Sequence, residues 1–126
     1  MNNFAYVKAG SLAEAVKALS AGGAWLLAGG TDLLGCARSE LCQVEKVVSI
    51  RGLKQLNGIA VQPNGSLTIG ALTSLADIAA NTAVIDKYGV LAQAAASVGS
   101  PQLRQQGTLG GNLCQKPRCW YYRTDI

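Results

Sequence analysis

Apolar residues at helical spacing first appear between Ser11 and Ala21, where Leu12, Ala15, Val16 and Leu19 stand at i, i+3, i+4 and i+7. Ser11 and Glu14 add an S-x-x-E capping box at the start, and Gly22-Gly23 closes the segment, so a helix is predicted over 11–21 with that stripe facing inward. The next apolar stretch, Ala24-Trp25-Leu26-Leu27-Ala28, is short and bounded by glycines, which predicts a buried strand ending at Gly29-Gly30. Thr31 and Asp32 can cap a short helical segment after it, and Lys46 to Ile50 is β-branched enough for a second strand. These elements make a β-α-β-like unit that closes near Arg51-Gly52.

Beyond that point the pattern changes. Ile59–Val61 and Leu67–Ile69 flank an Asn64-Gly65 step that supplies the positive φ of a tight turn, which predicts an antiparallel hairpin. Thr73 or Ser74 can cap a helix running to about Ala80, and an alanine-rich helix is predicted over 90–98, stopped by Gly99-Ser100-Pro101. Residues 100–126 show no clean period.

The 126 residues suffice for one domain with a core, and 49% hydrophobic against 14% charged residues excludes a disordered, collagen-like or coiled-coil chain. Histidine is absent, so this chain holds no Ser-His-Asp or Cys-His nucleophile, imidazole base or histidine-ligated metal. The net charge of +4 is uneven: Arg104, Lys116, Arg118 and Arg123 against Asp125 give the last 23 residues +3 of it. Such an end suits phosphate, nucleic acid or an acidic partner, or is simply a solvated terminus. Cys36, Cys42, Cys114 and Cys119 form no C-x-x-C pair, and no basic segment followed by an apolar stretch opens the chain. A protein of a reducing, cytoplasmic compartment is therefore expected, with no membrane span.

Three stretches carry candidate chemistry. Leu27-Ala28-Gly29-Gly30-Thr31-Asp32 takes a strand into two glycines, where successive N–H groups without intervening Cβ atoms can cradle a phosphate; the alternative is a plain turn. It fits neither G-x-G-x-x-G nor the Walker pattern. Gly107-Thr108-Leu109-Gly110-Gly111-Asn112 is a second such loop, and two of them could grip a pyrophosphate. Cys114 to Arg123 pairs a C-x4-C spacing with Trp120-Tyr121-Tyr122 between arginines, able to stack on a ring or to form an interface or core patch.

With Ile69-Gly70-Ala71-Leu72-Thr73 between them, the two glycine loops resemble, in order and separation, those of the FAD-binding medium subunits of molybdenum hydroxylases, the xanthine dehydrogenase and carbon monoxide dehydrogenase family. The resemblance implies an α+β fold of the FAD-binding type shared with vanillyl-alcohol oxidase and carbon monoxide dehydrogenase flavoproteins. It implies an N-terminal FAD-binding subdomain over 1–56 and the start of a second over 57–126, cut short because family members run to more than twice this length. One arm around the FAD pyrophosphate would be Ala28, Gly29, Gly30, Thr31 and Asp32, the other Thr108, Gly110, Gly111 and Asn112, with Leu27 and Ala71 beside the cofactor. Asp32 would have to cap the following turn rather than face the phosphates.

The ending Gln115 to Arg123 is similar to the branch of aldehyde oxidoreductases and 4-hydroxybenzoyl-CoA reductase that adds a four-iron cluster, which makes Cys119 a candidate 4Fe-4S ligand whose fellow ligands this chain lacks. The resemblance further implies an oxidoreductase component that passes electrons between iron-sulfur centres and an acceptor through FAD. Its partners would be a molybdenum-cofactor subunit and a 2Fe-2S subunit of a hetero-oligomer. No residue is expected to be catalytic, and the isolated chain is expected to hold flavin weakly and to be inactive. The competing expectation is a non-catalytic module that docks its basic aromatic end on nucleic acid or an acidic protein.

Overall fold

The computed structural model describes residues 3–123, which fall into two compact units: residues up to Leu53 together with those from Cys114 onward, and Lys54–Leu113.

In the first unit, β1 (Ala5–Lys8), α1 (Leu12–Ser20), β2 (Ala24–Leu27), α2 (Leu33–Arg38) and β3 (Lys46–Ser49) form an all-parallel sheet of order β1-β3-β2, with Val48 opposite both Val7 and Leu26. The β-branched pair Val47-Val48 explains why β3 is central: both side chains are fully buried, as an inner parallel strand requires. Val47 joins Ala37 and Val44 in a core completed by Phe4, Trp25, Leu27, Leu33 and Cys42. β2 is an edge strand with Leu26 exposed, not the buried strand its glycine-bounded run predicts, because only one of its sides is paired. The unexpected β1 escapes the pattern for the same reason: Ala5-Tyr6-Val7-Lys8 is a short edge strand with little burial.

α1 forms as its capping box predicts, with Glu14 N–H donating to Ser11 Oγ at 3.1 Å. Glu14 Oε2 accepts from the Gly10 N–H at 2.7 Å, one residue outside the expected partner. Its buried stripe is narrower than the spacing suggests: Ala15 is buried while Leu12 and Val16 are exposed. Gly22 and Gly23 end it at φ +78° and +62°.

In the second unit, β4 (Ile59–Val61) and β5 (Leu67–Ile69) pair antiparallel, with Ile59 opposite Ile69. The turn is made as predicted, with Gly65 at φ +82° and Gln62 N–H donating to Ser66 O at 2.8 Å. Five helices follow: α3 (Leu75–Ala80), α4 (Thr82–Lys87), α5 (Gly89–Ser97), α6 (Pro101–Gln106) and α7 (Leu109–Leu113). Ser74, not Thr73, caps α3, accepting from Asp77 N–H at 3.0 Å. Leu75, Ile78, Val84, Ala92 and Ala95 make the core, under Ile59, Leu67 and Ile69. Gly99-Ser100-Pro101 ends α5 and also begins α6, since Ser100 accepts from Leu103 N–H at 3.3 Å and Pro101 takes the first turn. Arg104 then donates to Val98 O and Gly99 O at 3.0 and 3.2 Å, satisfying carbonyls at the end of α5. The stretch read as aperiodic thus holds α6, α7 and α8 (Trp120–Arg123), each too short to display a period.

Candidate functional site

The first glycine loop leaves the C-terminal end of edge strand β2 and enters α2. Ile50 N–H still donates to Leu27 O at 3.0 Å, the last tie to the sheet. From there the chain turns at Gly30, whose φ of +78° is left-handed and whose added Cβ would stand 3.1 Å from Leu34 Cδ1 and 3.2 Å from Leu27 Cδ1. Gly30 O and Asp32 O accept from Leu34 N–H at 3.2 Å and Cys36 N–H at 2.9 Å, starting α2. Among the described residues, the N–H groups from Ala28 to Asp32 donate to no protein acceptor. Ala28, Gly29, Gly30 and Asp32 are half-buried and Thr31 is exposed. A run of unpaired N–H groups at a turn is an anion-binding arrangement.

The second loop, at the start of α7, is bonded differently. Leu109 N–H donates to Thr73 O at 3.0 Å, Gly110 N–H to Ala71 O at 2.9 Å, Gly111 N–H to Thr108 Oγ1 at 3.1 Å and Asn112 N–H to Thr108 O at 2.9 Å. Gly110 is glycine because of close approach: an added Cβ would lie 2.9 Å from Ala71 O and 3.0 Å from Ala71 Cβ. A Cβ on Gly111 would lie 3.0 Å from Thr108 Oγ1. Thr108 is buried and bridges Ser74. From Leu109 to Asn112 the backbone donors are thus taken up within the unit, and the loop offers a ligand the Thr108 hydroxyl hydrogen and the Asn112 carboxamide. Ala71 lies in the segment on which Gly110 rests, so the structure brings Ala71, Thr108, Gly110, Gly111 and Asn112 together, as it does Leu27 to Asp32 in the other unit.

Asp32 stands at the N-cap of α2 but makes no side-chain cap bond, contrary to expectation. Its Oδ1 accepts from Arg123 Nη2 at 2.9 Å, and Arg118 Nε lies 3.5 Å from the same oxygen. This bond raises the pKa of the Arg123 guanidinium above the ordinary arginine range, against a smaller opposing effect of burial. The pairing spans 91 residues, so no local sequence signal announces it. The remaining cation of this segment, Lys116, sits 4.9 Å over the Trp25 ring. With Arg104 bonded to the carbonyls at the end of α5, every basic residue of the charged C-terminal end has a partner inside its own unit, which leaves little of the free basic patch that nucleic-acid docking needs.

Cys114 and Cys119 are exposed free thiols, Cys36 is buried and Cys42 is half-buried. Burial first, and then neighbouring Cys36, pushes the Cys42 thiol above the ordinary range. No three Cys, Asp, Glu or His side chains among the described residues stand close enough to hold a metal, so the donor set around Cys119 does not fit a four-iron cluster. No helix among them is long and apolar enough to cross a membrane.

The fold is α+β, with a run of backbone N–H groups lacking a protein acceptor among the described residues where β2 leaves a parallel sheet. Residues 2–119 match the family described as the FAD binding domain in molybdopterin dehydrogenase, and the chain belongs to that family. It is 39% identical over 123 residues to an aldehyde oxidoreductase FAD-binding subunit of Escherichia coli (strain K12), covering 97% of this chain and 38% of that protein. It is 36% identical over 110 residues to a xanthine dehydrogenase FAD-binding subunit of Escherichia coli O157:H7, covering 86% and 38%. Among solved structures, carbon monoxide dehydrogenase from Hydrogenophaga pseudoflava superposes with a TM-score of 0.85 at 33% identity, over 89% of this chain and 39% of that one. The chain thus spans about two fifths of the length of these relatives.

Proposed function

We propose that this chain holds FAD as part of the flavin subunit of a molybdenum hydroxylase, an oxidoreductase component that relays electrons from iron-sulfur centres to an acceptor. FAD, when bound, supplies the redox chemistry; the chain supplies binding and orientation. The observation that carries this reading is the run of N–H groups from Ala28 to Asp32 without acceptors among the described residues, in a chain of this family. These donors fit a pyrophosphate oxygen, and Gly30 permits the left-handed turn that presents them. In the second unit Thr108 and Asn112 add a hydroxyl and a carboxamide, Gly110 and Gly111 keep the loop seated on Ala71, and Leu27 and Ala71 serve as apolar neighbours of the cofactor.

We further propose as its setting a complex in which a molybdenum-cofactor subunit oxidises the substrate and a 2Fe-2S subunit passes electrons on, in a reducing cytoplasm where free thiols such as Cys114 and Cys119 persist; the relatives' names support the FAD-binding subunit and, for carbon monoxide dehydrogenase, the molybdenum cofactor. No step is assigned to Cys119. The test is a titration of FAD with the chain, followed by flavin fluorescence anisotropy. Saturable binding that inorganic pyrophosphate displaces is expected; no rise in anisotropy at millimolar chain would overturn the reading.

A further inference from the structure

An anion-binding loop that contains a carboxylate poses an electrostatic problem. Asp32 is the last residue of the open N–H run, and in partly wet surroundings its charge would oppose a phosphate bound there by roughly a factor of five. Its side chain does not serve α2, since it makes no cap bond. Among the described residues its side-chain partners are the guanidinium groups of Arg123 and Arg118.

Arg123 is built into place rather than loosely paired. Its Nε donates to Pro117 O at 2.7 Å and its Nη2 to Lys116 O at 3.0 Å, so one side chain closes the backbone of 116–123 into a ring. The same Nη2 reaches Asp32, and the Arg123 side chain is only 19% exposed, against 59% for Arg118. A planar fork that bonds two carbonyls and a carboxylate at once is a role lysine cannot fill. The segment is held a second time where Lys116 covers Trp25, whose Nε1 donates to Gln43 O at 3.1 Å.

We infer that Arg123 is a positioning residue for the cofactor loop: by pairing with Asp32 it cancels the carboxylate's repulsion and fixes the turn at which the open N–H groups stand. This inference rests on the FAD reading and assigns to a residue outside both glycine loops a part in cofactor affinity.

The test compares FAD affinity of the chain with that of Arg123→Ala, Arg123→Lys, Arg118→Ala and the double variant Arg123→Ala with Asp32→Asn, each also probed with inorganic pyrophosphate. Arg123→Ala should weaken FAD about fivefold, and the double variant should recover to within about twofold of the parent, because the stranded carboxylate has gone. Arg123→Lys should fall between, and Arg118→Ala should change affinity least. A double variant no better than Arg123→Ala, or an Arg123→Ala equal to the parent, would overturn the inference while leaving the FAD reading intact. A parent that binds neither FAD nor pyrophosphate would overturn both.

Discussion

Among the described residues the backbone N–H groups from Ala28 to Asp32 have no protein acceptor, whereas from Leu109 to Asn112 each one is bonded within its own unit. The two glycine pairs look alike in the sequence, yet Gly30 is needed for a left-handed turn and Gly110 for a close approach to Ala71. Edge position explains the contrast. The first loop leaves the exposed end of an edge strand, where no further strand can absorb its donors. The second lies against the segment Ala71 to Ser74, whose carbonyls take up Leu109 and Gly110. A glycine pair therefore signals backbone freedom, and its surroundings decide whether that freedom serves a ligand or the fold.

That division predicts stability losses concentrated in the second loop. Gly110→Ala should cost about 3 kcal/mol by forcing a Cβ against Ala71, read as earlier urea unfolding of amide signals from Lys54–Leu113. A mild effect there would mean that the second loop is as open as the first. Thr73 is buried, donates to Gly58 O at 3.0 Å and accepts from Gly58 N–H at 3.0 Å, so Thr73→Val should cost about 2 kcal/mol by stranding both groups. Gly30→Ala should cost about 1 kcal/mol, from left-handed strain, and should weaken FAD more than it weakens the fold. If hydrogen exchange instead showed the first unit largely unfolded, the open loop would be structural. The smallest effect is chemical: with its thiol pushed above the ordinary range, Cys42 should be alkylated only at higher pH than a free cysteine, as followed by mass spectrometry.

Much of the fold was legible because local signals agreed with it. The S-x-x-E box, the β-branched Lys46–Ser49 strand and the Asn64-Gly65 turn each act over a few residues, and each appears as expected. What escaped was set by pairing at a distance or by brevity. β1 is a strand only because β3 lies beside it, and α6 to α8 are too short for a period. The candidate site divides the same way. Both glycine loops were visible as motifs, but their opposite bonding was not, because it depends on Ala71 and Thr73 carbonyls some 36 to 39 residues earlier in the chain. The partner of Asp32 was equally hidden, as opposite charges at long range leave no spacing to read.

The most direct test of the contrast is a nitrogen-15-resolved amide titration of the chain with FAD. The largest shifts should fall on Gly29, Gly30 and Thr31, with the Asn112 side-chain amide moving and the backbone amides of Leu109 to Gly111 nearly still. Large shifts on those backbone amides with none from Ala28 to Asp32 would contradict the account.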